Sequence, residues 1–437
     1  MKHLHNPVSW LLFTRALAAV PALDDIPDQH NTKSLAPPIN LPIKWATSTL
    51  YRPGVWMVNI SIGTPPQPQT VTFDTDFADI AVHSSSDPYF RAACKTQDPS
   101  FCHTYNPNVS TSFHDLGNGT YHYESGLFSI PEQGDYSKEV VHLGGVNVMN
   151  QTFAYVRASQ EPYGNLGLAP PIGEVGPFTN TFPEYPSFLE QLVSQGIYEN
   201  ACWSVWLDPY YPDDPTFATI PDGQLTIGGI DTGKFNGELI TFPVASKMEN
   251  FTQAVHYDLS LTSITHGHNK TNASPDPLSC IITMGDGPLM VPDAVYHNLA
   301  ATIPHASYNQ SISLYEVPCD SKHDASNTFS LTFTSPKTAA HPKERSFSVD
   351  IPVQGVIWPM TAIFGPTADP NTCTIAAQPT APGWPCMLGF TMTKSGFWAF
   401  DLYNGEISFG RPTSKGEKTG RTVRVPKKGV SALKLHH

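Results

Sequence analysis

The chain has 437 residues, too many for one compact core and enough for two domains of about 150 to 200 residues, so a peptide hormone or mini-protein is excluded. Charged residues are 14% while hydrophobic residues are 40% and aromatic residues 11%, with 42 Pro and 31 Gly; this excludes coiled coils and disorder and favours turn-rich β structure. The formal charge of −13 argues against a nucleic-acid partner, because phosphate binding needs a basic face.

Taken in chain order, Met1-Lys2-His3 precedes an apolar stretch from Val8 to Ala19, interrupted by Arg15, and then Val20-Pro21-Ala22. This is the pattern of a signal peptide over residues 1–22 with a small-residue cleavage site. Residues 23–50 read as an extended arm. Short apolar runs follow at 55–62, 70–73, 139–143, 201–207, 224–227, 239–242, 330–333, 347–351, 397–402 and 406–409. Val, Ile, Phe and Thr dominate them and Gly, Pro, Asn or Asp bound them, so each is expected to be a strand. Helical spacing is confined to 187–195, closed by Gly196, and 294–302, entered through Pro292-Asp293. Past Pro412 the composition shifts. Residues 411–437 hold eight basic side chains and one acidic one, which reads as a solvated basic tail. Two β lobes are expected, at 51–235 and 236–412, with the tail at 413–437.

No run of 18 apolar residues occurs elsewhere, and the C-terminus is basic, so a soluble, exported monomer with no membrane partner is expected. Eight Asn-x-Ser/Thr sequons fit export: Asn59, Asn108, Asn118, Asn150, Asn250, Asn269, Asn272 and Asn309. Asn59 lies in an apolar strand and is expected to stay unmodified. Seven Cys is an odd number, so at least one thiol stays free or pairs between molecules. Cys94 with Cys102 would close a short loop and Cys319 with Cys373 a long one; the pairing of Cys202, Cys280 and Cys386 stays open.

An internal duplication carries the functional reading. Phe73-Asp74-Thr75-Asp76-Phe77 has its counterpart in Ile282-Thr283-Met284-Gly285-Asp286. Downstream, Asn165-Leu166-Gly167-Leu168 is matched by Met387-Leu388-Gly389-Phe390. Two similar β lobes facing each other across a cleft would explain the repeat. With Ser61-Ile62-Gly63-Thr64-Pro65-Pro66-Gln67, Leu225 to Asp231 and Trp398 to Gly410 in the same order, residues 52–412 resemble the pepsin-like aspartic proteases, the fungal secreted type especially. The resemblance implies an all-β, bilobal pepsin-like fold with two pseudo-twofold-related lobes, a central cleft and few short helices. It also implies one catalytic Asp from each lobe, in an Asp-Thr-Gly motif.

That chemistry uses two carboxylates about 3 Å apart that share a proton. Asp74 fills the first position. Thr283 fills the second, and its hydroxyl cannot alternate between acid and base. The glycine expected after Thr75 is Asp76 and the serine is Phe77; the threonine expected after Thr283 is Met284, whose side chain cannot complete the family's threonine brace. The Asp usual after the second Leu-Gly is Phe390. Asp286 is a candidate to lean into the place left by Thr283, against a plain turn Asp, and Asp76 would add a third carboxylate. Tyr123, in competition with Tyr121, is the candidate for the family's flap tyrosine. Three readings follow. One is altered, weak or absent peptidase activity by Asp74 with Asp286. Another is acid/base chemistry on a small molecule, such as dehydration or cyclisation in fungal secondary metabolism. The last is a non-catalytic binding module. Each places a peptide or small-molecule ligand in the cleft. No cofactor or metal is expected: Asp74-Thr75-Asp76 superficially resembles a metal-binding Asp-x-Asp, but its framework is wrong, and His266-Gly267-His268 reads as a solvated loop.

Overall fold

A computed structural model describes residues 35–46, 54–94, 102–117, 119–124, 131–159, 163–209, 223–244, 256–266, 269–272, 277–284, 288–323, 328–335, 345–365, 367–380 and 385–433. The fold is mostly β, in several sheets with a few short helices, and matches the bilobal pepsin-like architecture. Every expected run forms a strand, with bounds of Val55–Ile62, Gln67–Asp74, Pro131–Leu143, Cys202–Leu207, Gly223–Ile227, Phe235–Pro243, Thr328–Ser335, Arg345–Pro352, Phe397–Asp401 and Glu406–Pro412. Both expected helices form as well, at Phe188–Ser194 and Asp293–Ala300. The first is fixed by a capping box: Ser187 accepts from the Glu190 N–H while the Glu190 carboxylate accepts from the Ser187 N–H.

The duplication is visible in the strand pairing. In the first half Gln67–Asp74 runs parallel to Gly164–Gly167, which is antiparallel to Ile80–His83. In the second, Leu278–Ile282 runs parallel to Cys386–Leu388, which is antiparallel to Leu289–Val291. The largest sheet carries Gln67–Asp74 and also Phe397–Asp401 and Glu406–Pro412 at its far side, so one hydrogen-bonded surface links the two halves. Its buried face includes Phe73, Leu166, Trp203, Leu225 and Phe400, part of a core that continues into Leu259, Phe333 and Trp398.

Disulfides join Cys94 to Cys102 and Cys319 to Cys373 as expected, and a third joins Cys280 to Cys386. The parallel register sets Cys280 directly beside Cys386. Cys202 is the free, buried thiol.

Three expectations need correction. The stretch read as an arm contains a central strand, Ile39–Ala46, which pairs with both Gly223–Ile227 and Val55–Ile62 and buries Ile39, Leu41 and Ile43. The tail is not simply solvated. Thr422–Arg424 pairs with Gly229–Asp231, Val425 and Val430 are buried against Trp206, Phe235 and Phe397, and Arg424 donates to the carbonyls of Leu35 and Ala36 at 2.9 and 2.8 Å. Two apolar side chains among lysines and glycines are too sparse to show as a pattern, yet each gains burial of about 1.5–3 kcal/mol. His266 ends the strand Asp258–His266 and is buried, stacked on Phe329 at 4.2 Å, because its neighbours form a strand pair rather than a loop; Gly267 and His268 lie outside the described residues.

Candidate active site

Two strands deliver the site. Gln67–Asp74 ends on Asp74, and Thr283 directly follows Leu278–Ile282. Phe73 pairs with Leu166 and Ile282 pairs with Leu388, so Asp74 and Thr283 hold the same place in the two halves.

Thr75 ties these two turns together. Its buried hydroxyl donates to the Ile282 carbonyl at 2.6 Å and accepts from the Met284 N–H at 3.0 Å, gripping Thr283 from both sides. The expectation that Met284 breaks the brace is therefore half wrong. Met284 cannot return a side-chain bond, but any non-proline backbone supplies the N–H that Thr75 needs. One arm of the brace survives.

Asp74 is half-buried, and its Oδ1 accepts from the Asp76 N–H at 2.8 Å, which orients the carboxylate. Thr283 is fully buried, and its Oγ1 has no hydrogen-bond partner among the described residues. An unpartnered buried hydroxyl costs about 1–3 kcal/mol, so Thr283 is held in this place at an energetic cost. Asp76 and Phe77 are both half-buried beside Asp74. Asp76 sits tightly against the chain at Gly173, where a Cβ would approach the Asp76 carbonyl to 2.8 Å. Asp286 lies outside the described residues.

Tyr123, in the strand Tyr121–Glu124, meets Phe77 edge to face with ring centroids 4.7 Å apart. Tyr121 is committed elsewhere: it is buried, donates to Glu132 at 2.9 Å and packs on Tyr136. Of the two candidates, the one next to the Asp74 turn is Tyr123.

An acidic pair behind this turn had no signal in the sequence beyond its two letters. Asp79 is buried and accepts from Tyr136 at 2.9 Å, from Tyr185 and from the Val175 N–H at 2.8 Å. Glu174, also buried, directly precedes Val175. Burial pushes both carboxyl groups up, Glu174 to about 10 with the Asp79 charge adding to the rise, so Glu174 carries a proton at neutral pH. Among the described residues no group of three or more His, Cys, Asp or Glu could hold a metal ion, and no helix is long and apolar enough to cross a membrane.

The arrangement offers one carboxylate, on Asp74, and one hydroxyl, on Thr283, at equivalent places in the two halves. It can accept or donate one proton and hydrogen-bond a ligand, but two carboxylates sharing a proton would need a further acid. A family profile described as eukaryotic aspartyl protease matches residues 55–411. The chain is similar to the "Probable aspartic-type endopeptidase opsB" of Aspergillus fumigatus, at 25% identity over 81% of this chain and 68% of that protein. It is similar to barrierpepsin of Saccharomyces cerevisiae, at 26% identity over 87% of this chain and 64% of that protein. Secreted aspartic protease 8 of Candida albicans is 29% identical over 63% of this chain and 62% of its own length.

Proposed function

This chain belongs to the eukaryotic aspartyl protease family, and from that premise we propose that it is an exported pepsin-fold protein whose cleft holds a peptide or small ligand but lacks ordinary dyad-driven endopeptidase activity. The observation that carries this reading is Thr283 in the grip of Thr75, at the place equivalent to Asp74. General acid/base catalysis contributes about 10²- to 10⁴-fold, and a hydroxyl that does not titrate in the working range forfeits the second partner's share. Asp74 and Asp286 are then the residues proposed to carry any residual peptidase activity, with Asp76 and Tyr123 lining the ligand.

Export is supported by the N-terminal pattern and sequons, and by the secreted protease of Candida albicans among the relatives. Incubation of the purified protein with denatured casein in mildly acidic buffer, with and without pepstatin, tests the proposal. Slow or absent cleavage is expected. Rapid, pepstatin-sensitive cleavage that disappears in Asp74→Asn would overturn it.

The Phe77–Tyr123 contact beside Asp74 favours a second reading, in which Asp74 alone moves a proton on an apolar small molecule. Turnover of a metabolite from the producing organism, abolished in Asp74→Asn, is the outcome expected there; turnover unchanged in that variant would dismiss it.

A further inference from the structure

Away from the site, the outer face of the Val55–Ile62 and Gln67–Asp74 strand pair holds a concavity of about 550 Å³, within the range of about 300–1,000 Å³ usual for small-ligand sites. Strand alternation and register put Asn59, Ser61 and Thr70 on that face, with His142 across from Ser61. His103 and Asn147 complete the polar lining. No Asp, Glu, Lys or Arg lines it, so hydroxyls, amides and imidazoles suit a neutral, polyhydroxylated group better than an ion.

Asn59 is the one exposed residue of its strand, contrary to the expectation drawn from its apolar neighbours. The Thr70 hydroxyl donates to Asn59 Oδ1 at 2.9 Å, and His103 Nδ1 lies 3.0 Å from the same hydroxyl. Holding the oxygen fixes the amide and leaves Nδ2 outside the hydrogen bonds of this side chain. His142 joins the Gly63 carbonyl to the Asn147 side chain, at 2.8 Å each, which makes a rigid wall. Asn59-Ile60-Ser61 is a sequon.

We propose that Asn59 carries an N-linked glycan whose first N-acetylhexosamine lies in this concavity. Asn59 Nδ2 forms the bond to the anomeric carbon of a glycosyl pyrophosphate donor; the anomeric C–O bond breaks, pyrophosphate leaves, and the amide gives up one proton. The transfer precedes folding, so the strand position is no barrier. His142 holds Asn147 by its Oδ1, and the Asn147 amide N–H then bonds a sugar hydroxyl. This inference rests on the export reading.

The test is glycopeptide mass spectrometry of the intact chain secreted by a fungal host, followed by release with peptide N-glycosidase. Asn59 is expected to be occupied. Its glycan should leave the native protein about tenfold more slowly than the denatured one, the factor that one or two net hydrogen bonds supply. Asn147→Ala, at an exposed position, should erase most of that protection without disturbing the fold. An unmodified Asn59 in protein that reaches the medium sinks the inference and leaves export standing. Retention in the cytosol with every sequon bare sinks both. Equal release from native and denatured protein removes the seat of the sugar.

Discussion

A hydroxyl in place of a carboxylate is a small change in volume and a large one in chemistry, because only the carboxylate titrates where a protein works. Thr283→Asp is therefore expected to raise pepstatin-sensitive casein cleavage by about 10²-fold or more, since the grip of Thr75 on Ile282 and Met284 already positions residue 283. No gain would mean that Asp76, Phe77 or Met284 also blocks the dyad. Thr75→Ala strips partners from a buried carbonyl and a buried N–H, and a loss of about 2–4 kcal/mol should appear in denaturant unfolding. At this scale side-chain substitutions were legible in the sequence, and backbone contributions were not. The letter at Met284 shows a missing hydroxyl, whereas the bond it makes uses a backbone N–H that no residue letter records.

Elements were legible wherever burial repeats. Ten runs became strands because an apolar face of several residues announces itself, and Gly196 marked a helix end. Ile39–Ala46 is less legible although Ile39, Leu41 and Ile43 alternate with exposed residues, because Pro42 inside the run argues against a paired strand. The Cys280–Cys386 link needed the parallel register, which only topology supplies. The basic segment hid its anchoring in two valines. Replacing Val425 and Val430 together by Ala should cost roughly 2 kcal/mol for each, read as a lower midpoint in urea, while an equal loss of two surface lysines, Lys427 and Lys428, should leave it unchanged. If both double variants unfold alike, the segment is held by charge and not by burial.

The whole molecule is an acidic body with a basic strap: residues 411–437 carry +7, which leaves −20 on the other 410. Composition revealed that balance, but it could not reveal which acids are buried. Asp79, Glu174 and Asp401 are pushed up by burial, so their share of stability is full below their unfolded values and is lost as pH rises. Glu174 alone lowers stability by about 1.4 kcal/mol per pH unit once the unfolded carboxyl ionises. His256, lowered by burial, acts in the opposite sense on the acid side. Three acids outweigh it, and the melting temperature should fall between about pH 5 and pH 7; Glu174→Gln should flatten that slope, and a wild-type midpoint that rises over the same interval would contradict the assignment. The Arg424 contact with Leu35 closes across 389 residues, and this sets a timetable for synthesis. A ribosome adding about 5–20 residues per second delivers Arg424 at least some twenty seconds after Leu35. The strand Ile39–Ala46 thus waits for this clasp until the chain has been made as far as Arg424.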